Sequence, residues 1–252
     1  MWDNPRLLNL VANLLFGVAA LLFGLAALQM LVRSPLFPVR EVEVQGPLKH
    51  AARADLEHAA AGLGGNFFAL DLRAVRARFE QVPWVRHVDV RRVWPDRVEA
   101  RVEEHVALAR WGDDALVNTF GEKFRDGARS PGDRAPSLNL PMLAGPEGSE
   151  ALVAERYRRF TEVLAPLGES VERVVLTPRH AWQLRLASGL TLELGRDGSE
   201  TVEQRLARFV AVFPETLGRL AKRDAASLPQ RFTHVDLRYP NGFALRVAGW
   251  KG

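Results

Sequence analysis

Residues able to do chemistry are few in this chain and poorly grouped. Its six histidines, at positions 50, 58, 87, 105, 180 and 234, form neither an HExxH motif nor a His-x-His pair. His50 and His58 flank Asp55 and Glu57, which are metal-ligating types. Eight residues put the two imidazoles about two helical turns apart, roughly 12 Å along an axis, so solvated charges on a short helix is the better account. Cysteine is absent, which removes thiolate nucleophiles, thiolate metal sites and disulfides together. Gly62-Leu63-Gly64-Gly65 has the glycine density of a phosphate loop, yet no Gly-Lys-Ser/Thr follows, and the glycines join two predicted helices. A Gly-x-Ser-x-Gly nucleophile elbow is also missing. The acidic neighbours Asp113-Asp114 and Glu103-Glu104 would point to opposite faces of an extended chain, which rules them out as convergent acid–base pairs. The expectation is a protein that is not an enzyme, with no cofactor, no metal and no small-molecule substrate.

Composition agrees with a folded protein of one or two domains: 252 residues, 47% hydrophobic and 25% charged. The 34 basic residues exceed the 30 acidic ones by only four, and both signs are interspersed. With no basic block to track a phosphate backbone, nucleic acid is not an expected partner.

The elements that position everything else begin with an apolar stretch. Leu7 to Val32 is 26 residues without a charge, and only Asn9, Asn13 and Gln29 are polar. A helix of that length spans about 39 Å, enough to cross a hydrocarbon core of about 30 Å with some tilt. A cleaved signal peptide is the rival, but its apolar core is usually about 7–15 residues long. The lone Arg6 and the weak Gly24-Leu25-Ala26 site also argue against cleavage. An uncleaved single-pass anchor is therefore expected, with residues 1–6 as a short tail. Arg6 on one flank and Arg33 and Arg40 on the other leave orientation open by charge. Gly17 and Gly24, seven apart, fall on one helix face, a faint sign of helix–helix contact.

Ser34-Pro35-Leu36-Phe37-Pro38 ends that helix. Val42 and Val44 then alternate with Glu41 and Glu43 as a strand ending at Gly46-Pro47. Ala51–Ala61 reads as a short helix with Leu56, Ala59, Ala60 and Leu63 inward. Asp71 caps a second, in which Leu72, Val75, Phe79 and Val82 share a face, closed by Pro83. Val88 and Val90 mark the next strand, and after a turn at Pro95-Asp96, Val98, Ala100 and Val102 mark another. The order β-α-α-β-β occupies residues 37–106. Residues 107–252 read as mainly antiparallel β with helices packed on it. Leu116–Asn118 and Lys123–Arg125 pair as a hairpin, Arg129–Pro136 is a polar loop, and Glu150–Leu167 is a helix. Strands follow at Val171–Thr177, Trp182–Ala187 and Leu190–Leu194, then a helix through Val202, Leu206, Phe209 and Phe213. The strands Phe232–Leu237 and Phe243–Val247 close the chain. The fold class is α+β behind a single N-terminal transmembrane helix.

The first unit, set directly after one span, resembles a POTRA domain. The residues that carry this are Phe37-Pro38-Val39, Val42-x-Val44-x-Gly46, Asn66–Asp71, Val82-Pro83-Trp84-Val85 and Val88-x-Val90-x-Arg92-x-Trp94-Pro95-Asp96, with Glu104–Trp111 closing it. Together with Leu140–Gly148 and Val235-Asp236-Leu237-Arg238-Tyr239, the whole chain is similar to the FtsQ/DivIB family of bacterial division proteins. Ala107 stands where that family often has proline.

The resemblance implies a scaffold of the division septum in the cell inner membrane, with a cytoplasmic N-terminus and a periplasmic bulk. Its β domain would bind the FtsB–FtsL pair and so help control septal peptidoglycan synthesis. FtsK, FtsW and FtsI are further partners it suggests. Residues expected at the FtsB-binding surface are Arg179, Arg238, Tyr239, Asn241, Gly242, Phe243, Ala244, Leu245 and Trp250. The last strand is a candidate open edge, where an added partner strand would satisfy unpaired backbone groups. Alternation makes Phe243 and Leu245 core residues in that scheme, while Arg179, Tyr239 and Trp250 belong to the interface. In the POTRA unit His87, Val90 and Arg92 are similar to a region used for FtsK. A solvated strand face, or a lipid contact made basic by Arg86, Arg91, Arg92, Arg97 and Arg101, explains the same residues. The alternative function is an envelope chaperone or polypeptide-transport component, whose POTRA units tend to be repeated.

Overall fold

A computed structural model describes residues 5–34, 37–127, 139–216, 232–240 and 242–247. One continuous helix, α1 (Pro5–Arg33), contains both Leu7 and Val32, and its apolar portion runs from Leu8 to Met30. Two compact units divide between Glu104 and His105.

The first unit beyond α1 is β1 (Glu41–Gln45), α2 (Arg53–Ala60), α3 (Leu72–Phe79), β2 (Val85–Val93) and β3 (Arg97–Glu104). β3 is central in the order β1-β3-β2, parallel to β1 and antiparallel to β2. Helices α2 and α3 cover one face. Leu56, Ala59, Val75 and Phe79 meet Val88, Ala100 and Val102 there, all essentially buried. Asp71 is the cap of α3, accepting from the Arg73 and Ala74 amides, which otherwise lack partners in the first turn. The helix ends at Phe79, well before Pro83.

Three details lie outside what periodicity predicts. His50 precedes α2, and its ring stacks on Trp84 with centroids 4.3 Å apart, so it shares no helix face with His58. Glu104 accepts from the amides of Lys49, His50 and Ala51, tying the β1–α2 loop to the end of β3. Glu99, on the polar side of the alternation, is buried under Arg91, whose Nη2 lies 2.6 Å from its carboxylate. Gly46 is required where it stands: at φ +146° a Cβ would lie 2.4 Å from the Val102 carbonyl oxygen.

The second unit contains β4 (Ala107–Trp111), β5 (Ala115–Asn118), β6 (Lys123–Phe124), β7 (Met142–Ala144), α4 (Glu150–Leu164), β8 (Val171–Leu176), β9 (Trp182–Leu186), β10 (Thr191–Gly195), α5 (Val202–Val212), β11 (Phe232–Asp236) and β12 (Ala244–Val247). They form one nine-stranded sheet, β12-β11-β10-β9-β8-β7-β4-β5-β6. The sheet is mixed. Antiparallel pairs predominate, but β4–β7, β7–β8 and β10–β11 are parallel. α4 and α5 cover one face, burying Val153, Phe160, Leu164, Val202, Leu206 and Phe209 against Leu143, Val174, Leu184, Leu192 and Val235. α5 starts with a full capping box, Thr201 and Gln204 each bonding the other's backbone amide.

Candidate functional site

β12 is the last strand of the large sheet and pairs with β11 alone among the described residues. Its register sets Leu245 opposite Val235, Arg246 opposite His234 and Ala244 opposite Asp236. Directly opposed residues share a face. Leu245 therefore stands on the helix-covered side, in line with the fully buried Val235 and Leu192.

Leu245 is nonetheless 38% exposed, which corrects its expected place in the core. Alternation aims the side chain at the core side, but no described strand lies beyond the edge to cover it. Phe243 does pack inward, edge-to-face on the buried Phe209 with centroids 5.7 Å apart. Ala244 and Arg246 are exposed, and Gly242 is half-buried. Asn241 and Trp250 lie outside the described residues.

The β11–β12 turn is held from two sides. Arg208 of α5 donates from Nη2 to the Tyr239 carbonyl at 3.0 Å and from Nη1 to Glu200 at 2.7 Å. Arg238 folds back on Asp236, with Nε and Nη2 donating to the carboxylate at 2.9 and 2.6 Å and the Arg238 amide adding a third bond at 3.0 Å. These bonds hold the Asp236 carboxyl below the usual carboxylate range and push the Arg238 guanidinium further up. The Arg238 stem crosses Gly195, where at φ +73° a Cβ would sit 2.9 Å from Arg238 Cγ. Tyr239 beside it is 55% exposed.

Arg179 is exposed in the turn between β8 and β9. The pairings β8–β9, β9–β10 and β10–β11 place that turn at the same end of the sheet as Arg238 and Tyr239. It lies two to three strands away from β11, about 10–14 Å at ordinary strand spacing. One sheet end thus carries two arginines and a tyrosine next to an open edge.

The POTRA residues are not brought together. Val90 and Arg92 oppose Ala100 and Val98 on the helix-covered face, whereas His87 opposes Glu103 on the other. The Arg92 guanidinium is committed to the fold, donating to the carbonyls of Phe67 and Leu70 at 2.7 and 2.6 Å. His87 lies 3.0 Å from Glu80. The expected basic cast is partly offset, since Arg86 pairs with Glu103, Arg97 with Glu41, and Arg91 and Arg101 share Glu99. Among the described residues no group of three His, Asp or Glu side chains is placed to hold a metal ion.

Comparison with known proteins follows the same division of the chain. Residues 37–105 match the POTRA domain, FtsQ-type, and residues 109–238 match the C-terminal domain of cell division protein FtsQ/DivIB. The second match stops at Arg238, before β12. Alignments with whole relatives continue past it. The chain is 40% identical to cell division protein FtsQ of Burkholderia pseudomallei over all of this chain and 96% of that protein. It is 41% identical to the FtsQ of Nitrosospira multiformis over 98% and 99%. With the Escherichia coli FtsQ it shares 34% identity over 84% and 73%. From its apolar helix through both units, this chain belongs to the FtsQ family of cell division proteins.

Proposed function

We propose that the protein is a non-enzymatic, single-pass scaffold of the division machinery that binds an FtsB–FtsL pair by accepting a strand at β12. In this reading α1 crosses the inner membrane, the short N-terminal tail is cytoplasmic, and both units are periplasmic at the septum. The observation that carries it is the terminal position of β12 with Leu245 left open at its rim. A partner strand would satisfy the outward backbone groups and extend the apolar face that ends at Leu245. Arg179, Arg238 and Tyr239 give the same sheet end cations and an aromatic anchor for an acidic, partly apolar segment. The POTRA unit serves recruitment, with His87 as its surface residue facing FtsK, and the assembled complex links to FtsW and FtsI to govern septal peptidoglycan synthesis. Family membership supports division over polypeptide transport.

The absence of cysteine makes the test direct. Single cysteines at Ala244, Leu245 and Arg246 are oxidised against a cysteine ladder along the FtsB segment. A two-residue periodicity of cross-links is the expected pattern. Cross-links without that period, or none, refute strand addition. Depletion that leaves septa normal and the fused protein diffuse in the envelope refutes the division role.

A further inference from the structure

The structure assigns a second contact surface: Phe37, Phe68 and Trp94 form a lipid-docking tip that seats in the headgroup layer beside α1. This rests on the proposal that α1 crosses the membrane. Trp94 is 73% exposed and Phe68 47%, and outside α1 no described large apolar side chain is more exposed than Trp94. Among the described residues of the first unit, none makes a hydrogen bond or ring contact with that indole.

Covalent geometry fixes where the tip lies. The apolar portion of α1 ends at Met30, and Ser34 follows four residues later, about 6 Å along the helix axis. The headgroup region is about 5–7 Å thick on each side of the hydrocarbon core. Ser34 therefore falls within it. Its carbonyl accepts from the Asn66 side-chain amide at 2.5 Å. Phe67 donates its amide to the Phe37 carbonyl at 2.7 Å, and Val39 donates to Gly65 at 2.9 Å. The loop carrying Phe68 is thus fastened to the chain just as it leaves the helix.

The Trp94 turn is fastened to the same segment from its other side. Arg40 donates its amide to the Asp96 carbonyl at 2.8 Å. Arg92, two residues before Trp94, braces the Phe67–Leu70 loop through the carbonyl bonds already described. Phe37 meets Phe68 edge-to-face at 5.4 Å. Loop, exit segment and turn are tied together by these bonds, with Phe68 and Trp94 exposed and Phe37 half-buried against Phe68. Indole and phenyl rings at headgroup depth are the usual occupants of a membrane interface.

Of the neighbouring cations, Arg40 pairs with Asp96, Arg97 with Glu41 and Arg91 with Glu99, and the Arg92 guanidinium is held by the Phe67 and Leu70 carbonyls. Docking is therefore aromatic, and it needs neither anionic lipid nor low salt.

The test uses the full chain in phosphatidylcholine vesicles whose acyl chains are brominated near the headgroups, with tryptophan emission as the readout. The difference between the protein and its Trp94→Phe variant isolates Trp94. A Trp2→Phe variant isolates the tryptophan on the other flank of α1 and reports whether the helix is inserted. Trp94 is expected to be quenched at least about twofold, as an interfacial indole should be. Quenching should persist in molar salt, where the screening length is about 3 Å. If Trp2 is quenched and Trp94 is not, the helix spans the bilayer and the docking tip is refuted, leaving those aromatics to a protein partner. If neither is quenched, the membrane span itself fails and the tip with it. Quenching of Trp94 that disappears in molar salt also overturns the aromatic mechanism.

Discussion

Truncation of Tyr239 to alanine isolates the proposed partner surface from the fold. The Tyr239 hydroxyl bonds no described residue, and the turn is held through the residue's carbonyl, which the substitution leaves in place. Burying a large apolar side chain completely contributes about 1.5–3 kcal/mol. With 55% of the residue still open, a partner covering it gains about 0.8–1.6 kcal/mol. Losing that contact raises the Kd about 4- to 15-fold, and more if the ring is a central anchor. The cost to the fold is about 1 kcal/mol or less, a fall in Tm of about 2–4 °C for a unit of this size. Calorimetric titration of the full chain with the FtsB–FtsL pair measures the first quantity, and a melting curve measures the second. Tyr239→Phe keeps the ring and should bind almost as the parent does. A Kd within about twofold of the parent for Tyr239→Ala, whatever the small fall in Tm, would refute the placement of the partner at this sheet end.

Other perturbations probe the supports. Leu245→Pro removes a donor from β12 and should abolish partner binding, so retained binding in the same titration contradicts strand addition. Asp236→Asn releases the Arg238 guanidinium and should weaken binding by loosening the turn, with the loss read as a faster off-rate. Acid should act similarly. The Arg238 hydrogen bond holds the Asp236 carboxyl below its usual range in the folded chain, so the stability from this pairing is full above the ordinary carboxylate range, about pH 4, and is lost as pH falls through the lower folded-state value. Asp71→Ala should cost the first unit about 1 kcal/mol through its lost helix cap, seen as a Tm drop of about 4–8 °C with partner binding unchanged.

What the sequence made legible followed from periodicity and local backbone chemistry. Val98, Ala100 and Val102 alternate because one face of β3 lies under two helices, and Asp71 caps because its carboxylate reaches two free amides. β7 escaped because three residues between Pro141 and Gly145 carry no period. The parallel neighbours β4 and β8 that define it are 31 and 29 residues distant in sequence, counting from Trp111 and Val171 to Met142. Glu99 looked like an exposed member of an alternating strand, and only the cross-strand position of Arg91 accounts for its burial. Arg92 looked available for a partner. The loop whose carbonyls occupy it is more than twenty residues away, a distance no local pattern bridges. At the candidate site the edge strand was legible, while the exposure of Leu245 was not. Alternation gives the direction of a side chain, but whether another strand lies beyond it is a matter of topology.

The sheet edges among the described residues are not treated alike, and that contrast bears on β12. β6 is two residues long, too short to template a partner. On β2 the Glu80 carboxylate accepts the Val88 amide at 3.2 Å, so an incoming strand meets an anion where it needs a donor. β1 sets Glu41 and Glu43 at alternate positions, and like charges repel a second copy. β12 reads Ala-Leu-Arg-Val, with one charge and an apolar rim. An edge left without these guards resists self-pairing only while a partner covers it. The purified full chain in detergent, without FtsB and FtsL, should therefore associate with itself as its concentration rises. Leu245→Lys should suppress that association, because a charge on an edge strand opposes pairing. It should weaken partner binding at the same time, since one surface serves both. Sedimentation of the two proteins over a tenfold concentration range decides the matter. Identical behaviour would show that β12 is not the exposed edge in solution, and the case for strand addition would lose its structural footing.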